Sequence, residues 1–241
     1  MDGGALFQPV VAGRISAEIV DRIKAAIRAG ALAPGDQLPP ERDLTKQLGV
    51  SRVSVRDALR MLEANGLIEV RVGARGGAFV TAPAPKLVGE GLADMLLLAD
   101  VDAAQVTEVR MIFELGLLDL ACERATEDDV AALREICDRA DATLAAGSYD
   151  PALSAEFHTR LARCTHNEAL ALFAESFQAP LASSLRRARE ADPVAGAVGA
   201  LEHRAIADAV AAGDVVGARR IMAEHLGRTA SRVGQAEQPG T

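Results

Sequence analysis

The chain has 241 residues, enough for two small domains or one large one with a sizeable core. Aromatic residues make up 3% and tryptophan is absent, which favours helices packed through aliphatic side chains. A net charge of −8 taken whole argues against a nucleic-acid partner, and no apolar run approaches the ~20 residues of a membrane helix.

The charge is unevenly spread. Residues 1–81 carry 11 Lys/Arg against 9 Asp/Glu, whereas the remainder carries 15 against 25. The acid therefore lies away from the first third, which stays open to a polyanion. Cys122, Cys137 and Cys164 are odd in number and form no C-x-x-C, so they read as small buried hydrophobes in a reducing cytoplasm. The opening MDGGALF lacks the basic and then apolar pattern of a secretion signal. A cytoplasmic protein without a membrane partner is expected.

Residues 1–13 are expected to form a mobile arm. Ile15, Ile19, Ile23 and Ile27 recur every four residues and predict a helix up to about Gly30. Ala31 to Leu38, with Pro34-Gly35-Asp36, reads as a turn. Pro39-Pro40-Glu41 starts a short helix carrying Leu44 and Leu48, and Gly49 ends it. Ser51 can cap a second helix, in which Val55, Ala58, Leu59 and Leu62 form a buried stripe. Arg52, Arg56 and Arg60 recur on a different face, and Asn65-Gly66 stops the helix. Leu67–Val72 and Ala78–Thr81 then read as strands around the glycine-rich turn Gly73-Ala74-Arg75-Gly76-Gly77.

Two helices joined at a tight glycine and followed by a hairpin make a winged helix-turn-helix. Such a unit sets the start of its second helix in the DNA major groove. Ser51, Arg52, Ser54 and Arg56 occupy that start here, and the planar fork of arginine suits guanine edges or phosphates. Arg71 to Gly76, at the hairpin tip, can reach the minor groove or the backbone. The motifs LPPERDL, LGVSRVSVRDALRMLEANGLI and VGARGGAFV resemble the DNA-binding domain of GntR-family bacterial transcription regulators over about residues 12–81. The resemblance implicates Arg42, Ser51, Arg52, Ser54, Arg56 and the wing Gly73 in contact with double-stranded DNA. Family members often carry a polar or basic residue just before that glycine, where this chain has Val72, so Arg71 or Arg75 is expected to take its part.

Ala82-Pro83-Ala84-Pro85 marks a linker, taken as residues 82–86. From 87 to 233 the pattern is helical throughout, with spans expected near 87–99, 103–124, 126–146, 152–165, 167–190, 196–212 and 214–230. The tail 234–241 is expected to be disordered. The chain is thus expected to be mostly α, with an N-terminal winged helix-turn-helix followed by an all-helical antiparallel bundle able to enclose a pocket.

Three of the four histidines are spaced to converge. His203 lies ten residues before Gly213 and His225 twelve after it, so in an antiparallel pair both sit roughly 15–18 Å from the turn. His158 comes from a third helix, next to Phe157 and Leu161. Three neutral imidazoles at one level suit a divalent metal, zinc first. His166, before a helix-breaking Asn, reads as solvent-facing.

The stretches VRMIFELGLLDLACERAT, EFHTRLARCTHN, EHRAIADAV and GDVVGARRIMAEHL resemble the effector-binding FCD domain of the FadR-like branch of the same family, over about residues 87–230. Many such domains hold a metal through one Asp and three His. The resemblance maps the histidines to His158, His203 and His225 and puts Ser154 at the usual Asp position. It also implies a small-carboxylate effector that completes the metal sphere, with Arg110 and Ser154 at its pocket and Glu114 placed to orient Arg110. A homodimer follows from the task, because two recognition helices related by a two-fold axis read a palindrome. The expected function is a cytoplasmic, effector-responsive transcriptional repressor and not an enzyme. The competing readings are a fatty-acyl-responsive regulator, a metal-free regulator and a three-His metal hydrolase fused to a DNA-binding domain.

Overall fold

The computed structural model describes residues 12–73, 76–82, 84–148, 150–190 and 195–237. The chain divides into two compact units, Met1–Ala84 and Pro85–Thr241. The first holds α1 (Ala12–Arg28), α2 (Glu41–Leu48), α3 (Arg52–Ala64) and an antiparallel hairpin of β1 (Ile68–Arg71) and β2 (Gly77–Val80). Helix α1 begins two residues inside the arm expected over 1–13, whose first eleven residues lie outside the described ones.

The stripe read from α3 is the core of this unit. Val55, Ala58, Leu59 and Leu62 are buried against Ile19, Val20 and Ile23 of α1, Leu44 of α2, and Ile68 and Val80 of the hairpin. Fully buried positions such as Val55 and Leu62 each contribute about 1.5–3 kcal/mol. Gly49, at φ 68°, ends α2 by donating its N–H to Thr45 O, a backbone conformation a β-carbon would strain. Ser51 caps α3, its Oγ accepting the Ser54 N–H at 3.1 Å. The segment read as a plain turn does more than turn. Gln37 bridges to Phe79, Leu38 N donates to Ala78 O, and Val80 N donates to Asp36 O, both at 2.8 Å. The otherwise unpaired donors and acceptors of β2 are thereby satisfied.

The second unit contains α4 (Pro85–Leu98), α5 (Ala103–Arg124), α6 (Glu127–Ala145), α7 (Pro151–Arg163), α8 (Glu168–Glu190), α9 (Ala195–Ala211) and α10 (Val215–Glu237). Two differences from the sequence reading stand out. Helix α4 takes in Pro85 and Lys86 of the expected linker, since proline is pre-set for the first helical turn. Helix α10 takes in 234–237 of the expected tail, because Gln235, Ala236 and Glu237 are good helix formers and the chain meets a breaker only at Pro239. Capping boxes at Asp102/Gln105 and Thr126/Asp129 start α5 and α6, and Asp150 caps α7 ahead of Pro151. Helix α4 packs on α8, α5 on α10, and α6 on both α7 and α9. At Gly89 of α4 a β-carbon would stand 2.3 Å from Ser176 O, so only glycine lets the α4 and α8 backbones approach this closely. Leu117, Leu118, Leu133, Phe157, Leu161, Ile206, Met222 and Leu226 fill the core.

Candidate functional sites

The first unit presents the start of α3 outward. Arg52 and Arg56 are exposed, and the side chain of neither forms a hydrogen bond or ion pair with another described residue. The other cations of this face are partly committed: Arg60 pairs with Asp57 at 3.6 Å, Arg42 with Asp43 at 3.4 Å, and Arg71 with Glu69 at 3.2 Å. Arg71 also lies over the Phe79 ring, 4.3 Å from its centroid, which holds it along the wing. Gly73 takes φ 115° in the turn, and Val72 beside it is 96% exposed. Ser51 is exposed, but Ser54 is turned inward, nearly buried, its hydroxyl 3.0 Å from that of Ser51. Burial counts against Ser54 touching DNA directly, because the helix period that puts Arg52 and Arg56 outside puts position 54 inside. Arg75 lies outside the described residues. Val53, 68% exposed between Arg52 and Ser54, is a surface member that sequence reasoning missed. Its signal was available as an apolar residue off the buried stripe.

In the second unit His158 of α7, His203 of α9 and His225 of α10 meet, with one ligand atom of each within 4.8 Å of the others. All three are buried. His158 Nε2 and His203 Nε2 are 3.2 Å apart, and Phe157 stacks on His203 at 4.3 Å between ring centroids. The Gly213 turn, at φ 66°, brings α9 and α10 level as the spacing required. Carboxylates hold the far side of two of the rings. His225 Nδ1 is 2.8 Å from Glu202 Oε2, and Arg228 in turn holds Glu202. His158 Nδ1 is 2.6 Å from Glu114 Oε2, a close contact without the alignment of a directed hydrogen bond. At His225 the hydrogen-bonded carboxylate fixes the tautomer and leaves Nε2 free to ligate. Burial pushes His158 down to about 4, against the pull of Glu114, and burial holds His203 well below its ordinary value. Both are therefore neutral at pH 7, the state in which imidazole binds a metal. Burial opposes charge on Glu114 as well, but Arg110 and His158 beside it hold the carboxyl below the usual carboxylate range.

This donor set fits a divalent ion. Two imidazole nitrogens on one tetrahedral zinc, each at about 2.0–2.1 Å, lie about 3.3 Å apart. The His158–His203 separation of 3.2 Å is close to that without rearrangement. Glu202 was missed in the sequence, although its position next to His203 made it available. Glu114 was read only as a partner of Arg110, whereas it spans from Arg110 to His158.

A cavity of about 340 Å³ adjoins the cluster and shares His158 with it. Arg110, Glu114, Asp150, Ser154, Thr159 and Gln178 contribute polar groups to its lining, and Phe113, Phe177 and Leu181 apolar ones. Arg110 is 4% exposed. Its Nε lies 2.6 Å from Glu114 Oε1, and neither of its terminal nitrogens is hydrogen-bonded to a described residue. The two effector-pocket residues read from the sequence, Arg110 and Ser154, thus line one cavity. His166 is half exposed, yet its Nε2 lies 2.8 Å from the buried Asp129, so it closes a structural contact as well as facing solvent. All three cysteines are free, with Cys137 pushed up to about 11 and Cys164 up to about 12 by burial, which makes them poor nucleophiles.

The family pattern of bacterial regulatory proteins of the gntR family matches residues 15–80, and that of the FCD domain matches residues 105–228. The chain is 34% identical over 229 residues to an Escherichia coli protein described as an L-lactate dehydrogenase operon regulatory protein, covering 90% of this chain and 85% of that one. It is 30% identical over 204 residues to the HTH-type transcriptional regulator LutR of Bacillus subtilis, covering 83% and 92%. The chain belongs to the GntR family. Its fold is shared with a Streptococcus agalactiae GntR structure at a TM-score of 0.67 and 24% identity, over 90% of this chain and 98% of that one. The fold class read from the sequence, helix-turn-helix and then helical FCD bundle, stands. This GntR-family chain is a DNA-binding transcriptional regulator with an effector-binding domain, and its relatives are regulators rather than enzymes. No described helix is long and apolar enough to cross a membrane.

Proposed function

We propose that this regulator is a cytoplasmic homodimeric repressor. On this reading it grips a palindromic operator through two copies of α3 and releases it when a small carboxylate enters the cavity of the second unit. The observation that carries the effector reading is Arg110, a buried guanidinium with Nε spent on Glu114 and its terminal nitrogens left for an anion. Arg52, Arg56, Ser51, Arg42, Arg71 and Gly73 form the DNA-reading set, with Arg75 joining from the wing. His158, His203 and His225 hold a divalent metal, zinc first, whose chemical contribution when bound is to accept a carboxylate oxygen of the effector. Glu114 then links the two ends of the site. It neutralises Arg110 on one side and orients His158 on the other, so an anion on Arg110 alters the balance around His158. Leverage on DNA is limited to the difference in effector affinity between the DNA-bound and released arrangements.

One relative is named for an L-lactate dehydrogenase operon, so short hydroxy acids are the first probes. A metal-free regulator is the second reading, favoured by Ser154, whose hydroxyl is a weaker donor than the carboxylate usual at that position. Elemental analysis of the purified chain, with and without zinc supplementation, separates the two. Fluorescence anisotropy on an operator duplex, titrated with carboxylates, tests the effector. No metal after supplementation, together with unchanged carboxylate binding in His203→Ala, would leave the histidines as core residues.

A further inference from the structure

We infer that the effector is a monocarboxylate with an apolar body larger than lactate, an aryl- or alkyl-substituted acid rather than a short or polyhydroxylated one. The inference rests on the reading of the 340 Å³ cavity as the effector site and adds what fills the rest of it. Liquid water takes about 30 Å³ per molecule, so the cavity has room for about ten. A three-carbon acid anchored at Arg110 leaves most of that volume empty, and an apolar void forfeits its dispersion contacts.

The apolar part of the lining selects the filling. Phe113, Phe177 and Leu181 line the cavity, and both rings pack against Phe173, at 4.7 and 5.9 Å between ring centroids. Rings held this way offer a fixed apolar surface at little entropic cost. The polar groups are too committed to serve a chain of hydroxyls. Thr159 donates to Ala155 O at 2.9 Å, and the Gln178 amide nitrogen donates to Thr159 and to Ala155 O. One Asp150 oxygen accepts the Ala152 N–H at 2.9 Å. Ser154 Oγ, Gln178 Oε1 and the second Asp150 oxygen remain without a hydrogen-bond partner among the described residues, enough for one or two polar substituents. Each further hydroxyl would enter without a partner and weaken binding.

Calorimetry on the full-length, zinc-supplemented protein with L-lactate, propionate, butyrate, hexanoate and 3-phenylpropionate tests this. Affinity should rise about fourfold for each methylene buried from propionate to hexanoate. 3-Phenylpropionate should bind at least tenfold more tightly than lactate. In Phe177→Ala the gain should shrink towards the propionate value while propionate itself is unaffected. Lactate binding as tightly as 3-phenylpropionate, with both lost in Arg110→Lys, would overturn the apolar body and leave the effector site standing. Failure of every acid to bind the wild type would overturn both. The wild-type series decides the matter even where a variant fails to fold.

Discussion

Arg52 offers a test in which two signs oppose each other. It is the first residue of α3, at the positive end of the helix dipole, with no acidic residue in the first turn. A cation there costs the fold about 0.3–1 kcal/mol. No described acid relieves it. Arg52→Ala should therefore leave the melting temperature unchanged or raise it by the equivalent of that amount. The same change should remove one base or phosphate contact per subunit, worth about 1–3 kcal/mol. On a palindrome met by two copies the loss doubles to about 2–6 kcal/mol, or roughly 30-fold to 10⁴-fold in affinity. If the contact is to phosphate, the slope of log affinity against log salt should fall by about 2 for the pair of sites. The assay is anisotropy on a duplex selected by the protein from a random pool, at several salt concentrations, beside thermal melts of the same preparations. Arg60→Ala is the control, since Arg60 sits two turns further on and pairs with Asp57. An Arg52→Ala protein that binds the duplex as tightly as wild type would refute the placement of α3 on DNA, and one that melts lower would refute the dipole argument.

Glu202→Gln removes the charged acceptor at His225 Nδ1 while keeping its shape, and should weaken zinc binding about 10–100-fold in a chelator competition. Wild-type zinc affinity in that variant would remove His225 from the ligand set. Ser154→Asp adds a carboxylate one helical turn before His158 and should tighten zinc while weakening carboxylate binding; a change in neither would separate Ser154 from the site. Asp129 accepts from Thr126 N at 2.9 Å and from Arg160 at 2.8 Å, and these contacts hold its pKa down against burial. A depressed carboxyl stabilises fully above its unfolded value of about 3.9, and that stability is lost as pH falls through the lower folded value. Asp129→Asn should therefore cost about 1–2 kcal/mol at pH 7, with the difference from wild type closing below about pH 4 in urea melts. A difference that stays constant with pH would mean that packing, not charge, sets the effect.

Periodicity and punctuation carried most of the fold into the sequence. The α3 stripe at 55, 58, 59 and 62 is a one-dimensional pattern, and burial follows it directly. The Gly213 count worked for the same reason: two helices leaving one turn have equal rise per residue, so equal spacing means equal height. What escaped was information without a period. Nothing local says that Gln37 will bridge to Phe79, because that contact is set by where the hairpin folds back. Glu114 was visible only as the i+4 partner of Arg110, since its second contact, to His158 on α7, depends on how α5 and α7 meet. That second contact changes what the pair means. A surface Arg–Glu pair contributes little to stability, whereas this one is about 95% buried and shares its carboxylate with a candidate metal ligand. Breaking it from either side strands a charge in the core. On the proposed reading, the same buried carboxylate is the element through which an anion at Arg110 would be felt at the histidine cluster.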